Sequence, residues 1–403
     1  MSTATTQRAA PAMPWALVAV CCVGMFAATA SGSVRSPFLL DMSVDFEVSL
    51  PAVANLFGVT SVFWGVAAYI AGRASDRIGR DVFLVFSPLM LMVMMAAMAV
   101  AQGYWLLVMW TAFGGMCCGC FTATSMAEVS LRTGDSHRGR ALGYVMSGQS
   151  LTLLIGVPLA AWLGGQVGWR GVFLGLAGLS LAAGICTAAV VLRQPALASE
   201  SRAGGEARPL RSVLDGPISR LFAALILERV CFGLAAFYYP AFLRTAYELS
   251  IEDVAVPLLG FAVGNIVGTI LGGQLADRFP YRRVSFAVMM VITAACAAVL
   301  FLWRPGLELT MVAATVFSFF NAMARPPLLA AMANVPPDVR GVVMGLNTSV
   351  ASVGWLTAAL VGGWVYASIG FASFGPIMAA MCIFAALVVL PDTRLFRRQR
   401  ATT

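Results

Sequence analysis

Apolar residues fill twelve stretches of this chain, and short polar segments rich in arginine, glycine and aspartate separate them. A helix needs about 20 apolar residues to cross the roughly 30 Å hydrocarbon core of a bilayer. The chain lacks the alternation over about ten residues that indicates membrane β-strands. The pattern therefore predicts an all-α integral membrane protein with helices over residues 13–34, 50–72, 82–101, 104–130, 141–163, 171–192, 218–242, 254–275, 284–303, 309–333, 342–366 and 373–391.

Composition supports a membrane protein. Of 403 residues, 60% are hydrophobic and 11% are charged, with a mean hydropathy of +0.86. Soluble domains carry about 25% charged residues, so a soluble fold of this length is excluded. The lipid bilayer is thus the first predicted partner of the chain.

The positions of the basic residues predict the orientation. All 26 are arginines, and with both termini in the cytoplasm 20 of them fall in or beside inner segments. The four on the outer side are Arg35, Arg170, Arg244 and Arg304. This asymmetry obeys the positive-inside rule. The net charge of +8 is therefore attributed to topology, and no nucleic-acid partner is predicted.

Sequence elements recur between the two halves of the chain. The segment 72–77, Gly-Arg-Ala-Ser-Asp-Arg, matches 273–278, Gly-Gln-Leu-Ala-Asp-Arg, and Gly168-Trp169 matches Gly370-Phe371. We predict two pseudo-symmetric six-helix bundles, residues 1–192 and 218–403, joined by a cytoplasmic linker over 193–217. Parallel repeats of this kind rock about a central site in many transporters.

Cysteine and histidine place limits on the chemistry. All nine cysteines fall in apolar spans, where packing is their expected role, and the single histidine, His137, lies in a predicted cytoplasmic loop. We predict no disulfide framework, no metal site, no cofactor and no enzymatic activity.

Residues 72–80, Gly-Arg-Ala-Ser-Asp-Arg-Ile-Gly-Arg, resemble the signature between the second and third helices of the major facilitator superfamily, the MFS fold. The resemblance implies solute transport by alternating access. It also implies a conformational latch in which Arg80 pairs with an acid at the end of the fourth helix, here Glu128. The latch residues predicted from both copies are Gly72, Asp76, Arg77, Gly79, Arg80, Glu128, Gly273, Asp277 and Arg278.

Each latch residue type has a physical rationale. Gly72 would permit close backbone approach, Gly79 a turn, and Asp76 hydrogen bonding to the start of a neighbouring helix. In the second copy Pro280 and Tyr281 replace Gly79 and Arg80, and no acid lies near Ala330. We interpret this as joint loss of the arginine and the acid.

The fifth helix resembles the antiporter motif of exporters in this superfamily. The residues that carry the resemblance are Gly148, Gly156, Pro158, Gly164 and Gly165. The glycines would allow tight helix packing, and Pro158 would bend the helix. One departure is Trp110, which stands where drug exporters of the family carry an arginine.

Charged residues within the spans are the main candidates for a substrate cavity, because unpaired charge in lipid is costly. Glu228 and Arg229 lie near the middle of the seventh helix, and Arg325 precedes Pro326-Pro327 in the tenth. Since neighbouring helical positions diverge by about 100°, we expect Glu228 and Arg229 not to face each other. The predicted cavity also includes Arg35, which lies near the outer end of the first helix; the alternative is that Arg35 snorkels to the membrane interface. Tyr238 and Tyr239 are candidates for the cavity wall or for the core.

Glu228 is the only acid predicted near the membrane midplane and is our candidate for proton coupling. We expect both Glu228 and Arg325 to be wetted by the cavity. The sequence therefore predicts a monomer in the bacterial inner membrane that exports a small organic solute in a proton-coupled manner. The alternatives are uptake of a small organic carboxylate, held by arginines, and a membrane sensor that does not transport.

Overall fold

The protein is nearly all helical in the computed structural model, which describes residues 13–193, 216–302, 306–335 and 337–390, and no strand occurs among these residues. The helices are α1 Trp15–Ser33, α2 Leu39–Asp45, α3 Leu50–Ile78, α4 Arg80–Ala99, α5 Tyr104–Arg132, α6 Asp135–Leu151, α7 Val157–Val191, α8 Gly216–Ala246, α9 Ala255–Arg278, α10 Arg282–Leu302, α11 Leu307–Ala333, α12 Pro337–Ile369 and α13 Phe374–Val389.

Twelve membrane crossings follow from the lengths of these helices. Eleven described helical segments are apolar and long enough to span a bilayer, and one of them, His137–Val191, has 55 residues. At 1.5 Å per residue that segment is about 80 Å long, more than twice the hydrocarbon core. Gly168 interrupts it with φ 68° and ψ 171°, so it contains two crossings. The predicted all-α fold with twelve spans is confirmed.

The internal repeat is visible in backbone geometry. Gly168 and Gly370, which are 202 positions apart, both have positive φ, at 68° and 83°. Glycine has no β-carbon and adopts this conformation without strain. Each glycine turns the chain before the last crossing of its half.

Backbones approach closely inside each half. A β-carbon on Gly264, Gly268 or Gly272 of α9 would clash with backbone of α11, and the partners are Thr315, Phe319 and Met323 in that order. The constant offset of 51 between these pairs shows that α9 and α11 run parallel in register. Small residues at such contacts allow membrane helices to pack without a hydrophobic driving force.

The two halves meet mainly toward one end of the molecule. This end is called the Asp41 end, after a residue of α2, and there Arg244 of α8 donates to the carboxylate of Asp41. The opposite end is called the Arg80 end, because α4 begins there at Arg80. Both recurring segments, 72–80 and 273–282, lie at the Arg80 end, since α3 and α9 both run toward it.

The described contacts between α3 and α12 lie toward the Asp41 end. Gly58 of α3 lies against Leu356, and Gly65 lies against Ser352 of α12. Nearer the Arg80 end, a β-carbon added at Gly72 of α3 would meet no described atom within 4 Å, and the same holds for Gly143 of α6. Among the described residues, the contacts between α3 and α12 therefore stop short of the Arg80 end, and we place the cleft between the halves on that side.

Candidate functional site

A buried ionic cluster joins α8 to α11. Arg229 donates from Nε to Glu228 Oε2 at 2.6 Å and from Nη2 to Oε1 at 2.5 Å. Arg325 of α11 donates from Nη2 to the same Oε1 at 3.4 Å. One carboxylate thus accepts from two guanidinium groups, and the three side chains together carry one net positive charge.

The expectation that Glu228 and Arg229 do not face each other is wrong. Their Cα–Cβ bonds diverge, but the arginine side chain is long enough to fold back onto its neighbour. Space for this conformation comes from Gly354 of α12, where a β-carbon would clash with the Arg229 side chain.

Exposure distinguishes the three charged groups. The side chain of Glu228 is 0% exposed, that of Arg229 is 9% exposed and that of Arg325 is 21% exposed. The enclosed position of Glu228 contradicts the expectation that the cavity wets it, whereas Arg325 has the largest exposed fraction of the three. Glu228 lies behind the arginines and is enclosed by packed helices.

Aromatic rings surround the cluster. The Arg229 guanidinium carbon lies 5.6 Å from the ring centres of both Phe232 and Trp355, and that of Arg325 lies 5.3 Å from Phe232. Guanidinium groups at this distance from a ring face are stabilised by its quadrupole. Phe232 also stacks against Phe261 of α9, with ring centres 5.8 Å apart.

Several buried polar atoms of α9 and α11 have no hydrogen-bond partner among the described residues. They are Ser318 Oγ, both amide atoms of Asn321, Arg325 Nε and Asn265 Nδ2. Sequence reasoning missed Ser318, Asn321 and Asn265, although asparagines in apolar helices and the spacing of four between Asn321 and Arg325 were available signals.

Arg35 lies in the N-terminal half, away from the ionic cluster. Its guanidinium donates to the carbonyl oxygens of Ser31 and Leu56 and to the Thr60 hydroxyl at 2.9 Å, and the residue is 2% exposed. It does not snorkel to an interface, because its own half encloses it. Aromatic rings connect Arg35 to the cluster across the two halves. The Arg35 guanidinium lies over Phe57, Phe57 stacks on Phe237 with ring centres 3.9 Å apart, and Phe237 packs against Trp355 beside Arg229.

The two predicted tyrosines have different surroundings. Tyr238 donates to the Ala359 carbonyl at 3.0 Å and packs near Gly362, inside the C-terminal half. The ring centre of Tyr239 lies 5.8 Å from that of Phe261, and its buried hydroxyl has no hydrogen-bond partner among the residues described.

Arg80 and Glu128, the two residues predicted to pair in the latch, lie next to each other in the structure. Arg80 Nη1 lies 3.7 Å from Glu128 Oε2, and Arg132, one turn further along α5, also donates to Glu128. Gly79 has φ 110° and ends α3, as its predicted role in a turn requires. The side chain of Asp76 lies outside the described residues. The pairing with Arg132 was not predicted, although the spacing of four on α5 permits it.

The inferred loss of the arginine from the second copy is wrong. Arg282 begins α10 as Arg80 begins α4, and it donates to the carbonyl oxygen of Ala330 at 3.1 Å. Arg282 and Ala330 lie 202 positions after Arg80 and Glu128. One extra residue after Asp277 shifts the arginine, so the acid is lost but the cation is kept and bonds to backbone.

The predicted close approach at Gly72 is also absent. A β-carbon at Gly72 or at Gly273 would meet no described atom within 4 Å. Arg77 lies in the last turn of α3, and Arg278 follows Asp277 in the last turn of α9.

Glycines of the antiporter-like segment do contact neighbouring helices. Gly148 lies against the backbone of Cys22 and Phe26 in α1, and Gly156 lies near the Phe26 ring. Pro158 follows a π-helical turn over Thr152–Gly156.

Two further glycines of this segment lie at the Asp41 end. Gly164 packs against Phe38 and near Ile251, and Gly165 packs against Glu252 of the other half. The segment thus contacts α1 within its own half and the C-terminal half at the Asp41 end.

Comparison with known proteins identifies the family. The sequence model described as Major Facilitator Superfamily matches residues 20–264 and 221–402. The chain is 25% identical over 353 residues to the "Inner membrane transport protein YdhP" of Escherichia coli (strain K12), covering 85% of this chain and 87% of that protein. It is 26% identical over 380 residues to the "Multidrug resistance protein MdtG" of Yersinia enterocolitica, covering 91% and 90%.

A solved structure supports the fold. The inward-facing, unoccupied bacterial homolog of the human lysosomal transporter Spinster superposes with a TM-score of 0.73 at 13% identity, covering 94% of this chain and 95% of the other. The twelve crossings, the repeat and the family match agree. This chain belongs to the Major Facilitator Superfamily of membrane transporters.

Proposed function

We propose that this protein exports small organic solutes from the bacterial cytoplasm by alternating access, driven by the proton gradient. The observation that carries the proposal is the ionic cluster of Glu228, Arg229 and Arg325, which lies among packed helices beside a cleft that is closed at the Asp41 end. Charges within a membrane domain are retained at functional sites because they are otherwise costly.

The direction of transport is inferred from orientation and relatives. With the termini in the cytoplasm, as the positive-inside rule favours, the Arg80 end faces the cytoplasm and the cleft admits solute from inside. The relative named "Multidrug resistance protein MdtG" supports export. We propose a monomer in the inner membrane whose partners are its solute and the lipid.

Glu228 is the proposed proton carrier. Two guanidinium groups stabilise its carboxylate form in the conformation described. Rearrangement of α11 relative to α8 would remove Arg325 from Oε1, and a buried carboxyl with fewer cationic partners takes up a proton more readily. Proton binding would then follow the conformation of the transporter.

The test is transport by purified protein in liposomes, with a panel of neutral and anionic organic solutes and an imposed pH gradient. We expect solute flux that depends on the gradient. Glu228→Gln should abolish that dependence while exchange of solute across the membrane continues. Glu308→Gln, which neutralises an exposed acid at the start of α11, is the matched control. Full dependence on the gradient in Glu228→Gln would refute the assignment of Glu228.

Uptake of a small organic carboxylate is the second candidate, and the net positive charge of the cluster favours it. Arginine forks bind carboxylates through paired hydrogen bonds. Flux of a carboxylate into the cytoplasm with protons, and no outward flux driven by the opposite gradient, would select this alternative over export.

A further inference from the structure

We propose that the C-terminal half contains a subsite for an aromatic carboxylate, with the carboxylate on Arg325 and the ring beside Phe232. This inference names the solute class of the proposed transport site, so it rests on the proposed function.

The first support is charge. Glu228 is the only acid in the cluster and is already occupied by two donors from Arg229. Arg325 contributes one contact at 3.4 Å to the same carboxylate and leaves its Nε without a partner. It is also the most exposed of the three side chains, at 21%. A monoanion placed against Arg325 would neutralise the cluster, whereas a cation would add to its net charge.

The second support is a set of unsatisfied polar atoms. Five buried atoms in α9 and α11, on Asn265, Ser318, Asn321 and Arg325, have no partner in the part of the chain that the structure describes. Asn321 is 0% exposed and leaves both its amide oxygen and its amide nitrogen unpaired. A buried polar group without a hydrogen bond destabilises the fold, because it has lost its bonds to water without replacing them. Their concentration in one region indicates a site that a polar ligand, with its associated water, completes.

The helix register places these atoms in one column. The offset of 51 between α9 and α11 puts Asn265 level with residue 316, within one turn of Ser318. Asn321 lies one turn further along α11, and Arg325 follows after another turn. Hydrogen-bonding groups therefore extend along α11 from Ser318 to the cationic end at Arg325.

The third support is the ring surface beside this column. Phe232 lies near Arg325, and its ring stacks on Phe261 at an interplanar angle of 27°. Phe261 is in turn inclined by 27° to Phe317, with ring centres 6.4 Å apart. Aromatic pairs favour offset or edge contacts with planar rings. An anion that carries a planar ring matches this combination better than an aliphatic or inorganic anion.

Binding to the purified full-length protein in detergent tests the inference, with benzoate as the probe and titration calorimetry as the readout. Benzamide keeps the ring but removes the charge, and cyclohexanecarboxylate keeps the charge but removes the planar ring. We expect both to bind at least tenfold more weakly than benzoate.

Substitutions then locate the binding. Arg325→Gln should weaken benzoate binding at least tenfold, Arg325→Lys should restore part of it, and Asn321→Leu should weaken it about fivefold. Asn55→Leu makes the same change in α3 of the other half and should leave affinity unchanged. Asn321→Asp retains the size of the side chain and places a negative charge near Arg325, so it should also weaken binding if its melting temperature is unaltered.

The outcomes separate this inference from the proposed function. Equal affinity for benzoate and benzamide, or wild-type affinity in both Arg325→Gln and Asn321→Leu, would overturn the subsite. If neutral solutes are transported but benzoate does not bind, the subsite fails and the transport proposal stands. If benzoate binds with the expected pattern but no solute crosses the membrane, the transport proposal fails and the binding site stands.

Discussion

The buried charge of Glu228 is balanced by two arginines, and the charges of both arginines are balanced by Glu228. The carboxylate is fully enclosed, and the cations that balance it come from its neighbour in sequence and from α11. Removing one partner of a buried ionic group leaves the other charge without compensation, which costs more than the pair contributes.

We therefore expect Glu228→Gln to destabilise the fold by about 3–5 kcal/mol, since two buried guanidinium groups lose their counter-charge. The double variant Glu228→Gln/Arg229→Gln should recover part of this loss. Chemical unfolding in mixed micelles measures both. A double variant less stable than Glu228→Gln alone would show that the ion pair does not compensate Arg229.

At the scale of elements, the contact between α1 and α6 depends on the absence of a side chain. Gly148 approaches the backbone of Cys22 and Phe26, whereas Gly143 on the same helix has no described atom near the position of a β-carbon. The two glycines form a matched pair for substitution.

Gly148→Ala should lower stability by about 1–3 kcal/mol, because overpacking forces α1 and α6 apart. Gly143→Ala should be neutral or slightly stabilising, since alanine favours helix over glycine by up to about 1 kcal/mol. Melting temperatures in detergent compare them. Equal losses in both variants would contradict the packing assigned to Gly148.

The two latch copies show how elements diverge while geometry persists. Arg80 and Arg282 begin equivalent helices, but one binds a carboxylate and the other a carbonyl oxygen. The repeat therefore keeps a cation at each position and retains an acid, Glu128, only in the first half.

At the scale of the whole molecule, the ion pair between Asp41 and Arg244 connects the halves on one side of the cleft. Arg244 also donates to the carbonyl oxygen of Pro37 at 3.2 Å. Both side chains are partly exposed, at 34% for Asp41 and 17% for Arg244, so solvent screens their attraction. Even about 1 kcal/mol shifts a two-state population about fivefold.

Arg244→Gln should therefore favour the conformation that is closed at the Arg80 end, because the Asp41 end loses a contact. Spin labels at positions 72 and 273, in a variant without native cysteines, should report a greater share of short distances. The exchanged pair Asp41→Arg/Arg244→Asp should restore the original distribution. Distances that do not change in Arg244→Gln would argue against a gating role for this pair.

The sequence by itself determined the twelve crossings, the repeat that pairs Gly168 with Gly370, and the turn at Gly79. These features depend on apolar length and on local backbone preference, which neighbouring residues specify. It also identified Glu228, Arg229 and Arg325 as a charged group within the membrane, because charge in an apolar span is visible without a structure.

Only the tertiary structure decided how these residues combine. The ion pair between Arg229 and Glu228 depends on side-chain conformation. The column of polar atoms from Asn265 to Arg325 and the hydrogen bond from Arg282 to the Ala330 carbonyl depend on the register between helices. Close backbone packing at glycines sets that register. No local sequence pattern specifies the register, because these contacts join residues that are distant in the chain or require space that another helix leaves free.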